Sequence, residues 1–179
     1  MAVPASVTVK DMSGTYTLNK TLSDSSQATL KLQNVGFIVR QAAQYSAVTV
    51  TLKQYTDDKG VVHLDQDQVS TGGVRNLEER LVNGEWGERA NKIWGQVKGM
   101  ARFLKISELE DDYLKEGWSQ DCIDGEIIDS VNESVGNGWK ALQVYGFADV
   151  DGQRKHVRRV VTTKGKQVEK IRLVYDWKE

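Results

Sequence analysis

The last predicted strand carries the residues best placed to hold a small molecule. Alternation along an extended strand puts on one face the residues Ile171, Leu173, Tyr175 and Trp177. That face is apolar except for one phenolic hydroxyl. A buried tyrosine hydroxyl normally finds a hydrogen-bond partner, and a ligand oxygen can serve as one. We therefore predict that Tyr175 anchors a ligand, with Leu173 and Trp177 on the same wall.

The preceding strand offers an arginine as a second polar anchor. Alternation groups Arg158 with His156, Val160 and Thr162, and it puts Arg159 on the opposite face. Because a buried arginine must be paired or hydrogen-bonded, an inward Arg158 would suit an anionic or carbonyl-bearing ligand. The alternative is that both arginines lie on a solvated exterior. The alternation by itself leaves these two orientations open.

A third group is an aromatic stripe around a single amide. One face of another predicted strand holds Trp139, Ala141, Gln143, Tyr145 and Phe147. Aromatic walls with a few polar groups are typical of ligand pockets. We predict ligand contacts for Trp139, Tyr145 and Phe147. The alternative is that the stripe packs a filled core.

Signatures of nucleophilic or metal-dependent catalysis are weak in this sequence. His63 and His156 are far apart, and neither has the spacing of a catalytic triad or a zinc site. Asp65 and Asp67 share a strand face with His63, which is more typical of a polar exterior than of a metal site. The single cysteine, Cys122, has no histidine near it, so we expect a bystander thiol. No metal site or cofactor is predicted, and the catalytic residues, if the chain is an enzyme, are left unknown.

Composition excludes several classes of protein. The chain has 24 basic and 25 acidic side chains, and this net charge of −1 gives no field that would attract nucleic acid. The apolar runs are only a few residues long, and the first residues lack the features of a signal peptide. A single cysteine fits a reducing compartment. We expect a cytoplasmic protein with a hydrophobic small-molecule partner, without nucleic acid or an integral membrane segment. The oligomeric state is left open.

The elements that must position these residues are mostly strands. Helical spacing predicts two short helices at about 24–44, separated at Asn34-Val35-Gly36, and the capping-box spacing of Ser107 and Glu110 predicts a short helix at about 107–116. Period-two alternation predicts about ten strands, at 14–22, 48–56, 61–70, 76–82, 85–90, 92–105, 123–134, 138–149, 154–164 and 167–178.

Strands of this number, joined by short hairpins, cannot remain in one open twisted sheet without curling, and closure also removes exposed edges. The sequence therefore predicts an all-β fold, a ten-stranded antiparallel up-and-down barrel. Residues 1–179 form a single β-barrel domain in this interpretation. The interior of such a barrel is either filled by side chains or holds one small ligand.

Motifs near both ends of the chain follow a characteristic order. Gly14-Thr15-Tyr16 opens the first strand, and the helical stretch contains Val35-Gly36-Phe37-Ile38-Val39-Arg40 before the strand at 48–52. The turns Asp151-Gly152 and Lys164-Gly165 precede the closing Val174-Tyr175. This order resembles the intracellular fatty-acid-binding proteins of the calycin, or lipocalin, superfamily. Close matches cover about the first fifty and the last thirty residues.

The resemblance implies a helix-turn-helix lid over a ligand cavity, with Phe37 on the lid as a ligand contact. It also favours an inward Arg158. Tyr175 matches the tyrosine of the family's final Arg-x-Tyr motif, but Leu173 stands where the carboxylate-binding arginine would be. The chain has extra residues at about 107–125, and it resembles a sparsely characterised fungal branch of calycin-like proteins more than the animal carriers.

Two functions fit these observations. The first is a carrier or sequestering protein for a lipid-like molecule or a secondary metabolite. The alternative is a cofactor-independent isomerase or cyclase of secondary metabolism, since holding a substrate in a reactive conformation can supply a large acceleration. A perturbed acid or base in the cavity would favour the enzyme. The candidates for that group are Asp129, Glu133, His156 and Tyr175.

Overall fold

The computed structural model describes residues 1–178, in which ten antiparallel strands follow one another as a meander. The strands are β1 Gly14–Leu18, β2 Val48–Thr56, β3 Val62–Ser70, β4 Arg75–Leu81, β5 Gly87–Asn91, β6 Gly95–Leu104, β7 Ile127–Ser134, β8 Trp139–Val150, β9 Gln153–Lys164 and β10 Gln167–Trp177. Strand β1 also pairs with β10, so the sheet curls into a barrel whose two edges are β4 and β5. The predicted all-β fold is confirmed, and the barrel is open along these edges.

Turn chemistry explains the long hairpin that carries several candidate residues. Asp151 and Gly152 connect β8 to β9, and both have positive φ angles, 51° and 71°. A two-residue loop with this geometry matches the right-handed twist of the flanking strands. The 12-residue strands β8 and β9 are therefore held in one register along their whole length.

Two short helices lie between the first two strands, as the sequence predicted. Helix α1 spans Gln27–Leu32 and helix α2 spans Phe37–Tyr45. Asn34 takes a positive φ angle of 65°, the left-handed conformation that ends a helix, and so separates α1 from α2. No helix within residues 1–178 has the length and apolar character needed to cross a membrane.

The segment between β6 and β7 is more helical than predicted. It contains a 3-10 turn at Ile106–Glu108, helix α3 at Asp112–Lys115 and helix α4 at Gln120–Asp124. The Asp111 carboxylate caps α3 by accepting a hydrogen bond of 2.9 Å from the Tyr113 backbone N–H. The seventh strand was predicted to begin at residue 123, but it begins at Ile127 because the preceding residues form α4 and a loop.

One end of the barrel is filled by aromatic side chains. His156 is fully buried there, with its ring 5.1 Å from both Tyr16 and Tyr175 and 6.0 Å from Phe147. Its Nδ1 atom is 3.0 Å from the Gly146 carbonyl oxygen, which accepts the hydrogen bond. Burial lowers the pKa of His156 to about 3, so the imidazole is neutral at ordinary pH.

This neutral histidine makes the stability of the fold sensitive to acid. The pKa of His156 is about 3 in the folded chain and about 6.5 when unfolded, so the unfolded chain takes up the proton first. The stabilisation that neutral His156 contributes to the fold is therefore fully present above pH 6.5, and it is lost as the pH falls towards 3. We expect the free energy of unfolding to fall by roughly 1.5 kcal/mol between pH 6.5 and 5. Urea titrations of wild type and His156→Gln test this, and an equal fall in the variant would contradict it.

The chain's first residues cover the filled end. Val3, Val9 and Met12 are buried in the main core. The Gln54 side chain holds the segment in place, since its Oε1 accepts from the Met12 N–H at 3.0 Å and its Nε2 donates to the Val9 carbonyl at 3.1 Å. Residues 1–13 thus close one end of the barrel and leave the lid end for a cavity.

Candidate functional site

A cavity of about 190 Å³ lies between the lid helices and the strands at the other end of the barrel. Leu30 of α1 and the pair Val39 and Ala43 of α2 line it from the lid side. Gln33, just after α1, accepts a hydrogen bond of 3.1 Å from the Trp94 indole N–H. This bond ties the lid to the turn between β5 and β6 at one side of the cavity.

The cavity wall has an apolar side and a polar side. The strands β10 and β9 stand in the middle of the strand order, and with the lid they contribute Leu30, Val35, Val160, Ile171 and Leu173. The edge strands β4 and β5, together with β3 and β7, contribute Gln68, Glu78, Arg89, Asn91 and Asn132. These two sets come from different parts of the sheet, and the middle strands add the polar groups of Arg158 and Tyr175. Such a cavity suits an amphipathic molecule.

Arg158 points into the barrel, which decides the orientation that the sequence left open. Its Nη2 donates to Gln143 Oε1 at 2.5 Å, and its Nη1 donates to Gln66 Oε1 and to the Tyr175 hydroxyl, both at 3.3 Å. The guanidinium also lies 4.6 Å from the centre of the Tyr145 ring. Contacts on several strands thus fix this buried cation in one position.

The Tyr175 hydroxyl is arranged to donate a hydrogen bond into the cavity. It accepts from Arg158, so its own proton stays available for a second partner. Burial raises the pKa of Tyr175, which keeps the phenol protonated at neutral pH. The neighbouring cation polarises the hydroxyl and makes it a stronger donor. Tyr175 therefore suits a carbonyl oxygen better than it suits the role of a base.

A second charged group occupies the polar side of the wall. Arg80 and Glu78, both buried on β4, form an ion pair between Nη2 and Oε2. Burial opposes charge on Glu78, but Arg80, Arg158 and Arg89 together lower its pKa, so the carboxylate is ionised. Arg89 of β5 donates from Nη2 to Asn132 Oδ1 at 2.7 Å. Together with Arg158, three guanidinium groups and the Glu78 carboxylate, all within residues 1–178, line the interior cavities.

Four of the eight predicted ligand contacts line the cavity. They are Tyr175, Arg158, Leu173 and Trp139. The Trp139 indole N–H is buried and has no hydrogen-bond partner among residues 1–178, so a ligand oxygen in the cavity could supply one. The aromatic stripe of β8 thus extends into the cavity at its Trp139 end.

The other four predicted contacts lie elsewhere. Tyr145 and Phe147 are fully buried below the cavity, in the filled part of the barrel. Trp177 packs edge-to-face against Tyr16, with ring centres 5.1 Å apart, because β10 runs past the cavity to the covered end. Phe37 is 64% exposed at the start of α2, on the outer side of the lid.

Of the four acid or base candidates, Tyr175 lies on the cavity wall and His156 lies in the filled core. Asp129 pairs with Arg102 at 3.1 Å, and Glu133 pairs with Lys140 at 3.4 Å. Both carboxylates belong to the face of β7 opposite Asn132, which lines the cavity. Burial raises the pKa of Asp129, but its side chain faces the outside of the barrel.

Sequence reasoning missed the charged group on the polar side. On β4, alternation sets Glu78 and Arg80 against Leu77 and Leu81, and the usual interpretation turns the leucines inward. In the structure the charged residues face inward instead: Glu78 and Arg80 are buried, whereas Leu77 and Leu81 are 52% and 48% exposed. The composition of this strand carries no signal for that inversion.

Comparison with known proteins assigns the family. No protein-family model matches the chain. Pericyclase pydY of an Acremonium species is 32% identical over 181 residues, which span 99% of this chain and 97% of that protein. The chain belongs to the pericyclase family of pydY. The probable pericyclase scpY of Mollisia scopiformis is 29% identical over 180 residues, covering 98% of this family member and 94% of scpY.

Solved structures similar to this pericyclase-family chain come from lipid-binding proteins. Lipid binding protein 8 of Caenorhabditis elegans matches with a TM-score of 0.63 at 15% identity, over 93% of this chain and 95% of that one. A Schistosoma mansoni fatty acid binding protein in complex with arachidonic acid matches with a TM-score of 0.58 at 16% identity, over 93% and 95%. These matches confirm the predicted resemblance in fold to fatty-acid-binding proteins, and the two fungal relatives confirm the predicted fungal branch.

Proposed function

We propose that this chain is a cofactor-independent pericyclase that cyclises an unsaturated, amphipathic substrate within the cavity beneath the lid. Membership of the pericyclase family supports the reaction class. The observation that carries the proposal is the Tyr175 hydroxyl, which faces an apolar cavity while it accepts a hydrogen bond from the buried Arg158. This arrangement combines a binding surface for an apolar chain with one strong hydrogen-bond donor.

A pericyclic reaction makes few chemical demands on a protein. In an intramolecular cycloaddition, two σ bonds form as two π bonds are lost, and all the electrons stay within the substrate. Substrate and product are isomers, so no oxidant, reductant or proton transfer is required. The protein accelerates the step by holding the reacting ends together and by stabilising charge that develops in the transition state.

The apolar side of the cavity would hold the reacting chain in a folded conformation. Val160, Ile171 and Leu173 form a continuous surface on β9 and β10, and Leu30 and Val35 cover it from the lid side. Trapping a flexible chain here removes conformational freedom before the reaction. The Gln33 to Trp94 hydrogen bond keeps the cover in place during that step.

The Tyr175 and Arg158 pair would activate the substrate electronically. A hydrogen bond to a carbonyl conjugated with one of the reacting double bonds withdraws electron density from that bond. An electron-poor double bond reacts faster with an electron-rich diene. Because Gln143, Gln66 and Tyr145 already fix Arg158, little reorganisation is needed as charge builds up on the carbonyl oxygen.

A carrier or sequestering protein is the second candidate, and the apolar cavity in a lipid-binding fold supports it. The two candidates differ in one measurable way. A carrier returns its ligand unchanged, whereas a pericyclase returns an isomer of equal mass.

The direct test incubates the purified chain with the substrate of pydY and follows the mixture by liquid chromatography with mass detection. We expect a new peak of unchanged mass, together with loss of the ultraviolet absorption of the conjugated diene. A reaction without protein gives the background rate. Unchanged substrate in the presence of protein that demonstrably binds it would support the carrier instead.

A further inference from the structure

We infer that Arg80 and Arg89, at the opening between β4 and β5, bind a two-oxygen anion at the polar end of the substrate. A carboxylate and the enolate of an acidic 1,3-dicarbonyl share this chemistry. The inference rests on the proposed function, because the anion is taken to be the head of the molecule that is cyclised beneath the lid. It assigns to the substrate an anionic head in addition to an unsaturated apolar chain.

The opening between the edge strands forms a second cavity of about 200 Å³. Arg80, Arg89 and Asn132 are among the residues that line it, and Arg89 and Asn132 also line the cavity beneath the lid. Each cavity alone is smaller than the roughly 300 Å³ of a typical small-molecule site, and the two together exceed it. A substrate that extends past Arg89 would occupy both.

The guanidinium groups at this opening are incompletely satisfied. Arg80 Nε and Nη1 and Arg89 Nε are buried without a hydrogen-bond partner in the described part of the chain, residues 1–178. Burial and the positive charge of the neighbouring Arg80 lower the pKa of Arg89. Glu78 compensates only one of the three interior guanidinium charges. Bringing in an anion would supply both the missing acceptors and the missing charge.

Gly99 on β6 gives Arg89 the space that this position requires. A Cβ atom at residue 99 would lie 2.7 Å from Arg89 Nη1 and 2.9 Å from Asn132 Oδ1. Any side chain there would push the Arg89 guanidinium and its Asn132 partner away. The absence of a side chain at residue 99 thus leaves room for the Arg89 guanidinium beside β6.

Acidic side chains at the outer rim limit how an anion can arrive. Glu79, Glu85 and Glu88 line the opening and are exposed. They repel a free anion approaching from solvent, although water screens this effect. A headgroup attached to an apolar chain can instead reach Arg89 from the inside, through the cavity beneath the lid. The site therefore selects amphipathic anions over small ones.

The test measures binding of cis-parinaric acid, a fluorescent conjugated polyene carboxylate, and of its uncharged methyl ester. We expect wild type to bind the acid at least about tenfold more tightly than the ester. Arg89→Gln should weaken binding of the acid by about 10- to 100-fold and leave binding of the ester within about twofold. Arg75→Gln is the matched control, since Arg75 is an exposed arginine on the outer face of β4.

A second variant separates the position of the guanidinium from its charge. Gly99→Ala keeps every charge but displaces Arg89, so it should reduce the preference for the acid as Arg89→Gln does. The inference is overturned if wild type binds acid and ester equally or binds neither, or if Arg89→Gln weakens both alike. It is also overturned if Arg158→Met, and not Arg89→Gln, removes the preference. None of these measurements requires turnover, so a failed cyclisation assay would reject the proposed function and leave the anion result standing.

Discussion

Replacing Arg158 with methionine should lower kcat for cyclisation by about 100-fold or more, with a smaller change in KM. The substitution keeps much of the apolar stem but removes the cation that polarises the Tyr175 hydroxyl. Interactions that strengthen as charge develops in the transition state appear mainly in kcat. Tyr175→Phe should cost about tenfold, because it removes one hydrogen bond and leaves the ring in place. Steady-state kinetics on the substrate of pydY measures both effects.

The adjacent arginine provides the control for this experiment. Arg159 follows Arg158 on β9 but lies on the outer face, where its Nη1 donates to the Tyr113 carbonyl at 3.3 Å. Arg159→Met should therefore leave kcat within about twofold at temperatures where the variant is folded. If Arg158→Met instead raises KM and leaves kcat unchanged, Arg158 only binds the substrate, and its proposed part in activation is wrong.

The orientation of Arg158 could have been derived from the sequence by one further step. A two-residue loop at residues 165–166 pairs residue 164 with 167, and therefore Arg158 with Leu173. Residues directly opposite each other on antiparallel strands point to the same face. Once Leu173 is taken as inward, Arg158 must be inward too. The sequence contained this information, but it required the register of the hairpin as well as the alternation of each strand.

The position of the cavity along the barrel could not be derived in the same way. Trp139 and Tyr145 share a face of β8, yet one lines the cavity and the other belongs to the filled core. Alternation tells which face of a strand is inward but not how far along the strand the filling extends. That boundary depends on the N-terminal segment, where Val3 and Met12 are buried and cover the far end. The alternation of residues along the strands does not predict that the N-terminal segment packs against this end of the barrel.

The inverted strand β4 shows a more general limit of pattern reasoning. Hydrophobic alternation assumes that buried faces are apolar, and a cavity lined by charged side chains breaks this assumption. The ion pair of Glu78 and Arg80 is stable inside because each charge compensates the other, and Leu77 and Leu81 are left half exposed as a consequence. A local rule that fails at a functional site is expected in natural proteins.

Removing the charge of Glu78 should therefore destabilise the fold strongly. Glu78→Gln leaves Arg80, Arg89 and Arg158 without an opposing charge in the interior, and breaking a buried pair in this way costs about 3–5 kcal/mol of unfolding free energy. Glu79→Gln is the matched control, since Glu79 is exposed on the outer face of β4 and should change stability by less than about 0.5 kcal/mol. Urea denaturation of both variants measures the difference.

The double variant tests whether charge is the cause of that loss. Adding Arg80→Met to Glu78→Gln removes the cation that Glu78 neutralises, and apolar replacements of buried ion pairs are often neutral or stabilising. Most of the stability lost in Glu78→Gln should therefore return in the double variant. If the two substitutions are instead additive and both destabilise, Glu78 and Arg80 act through packing.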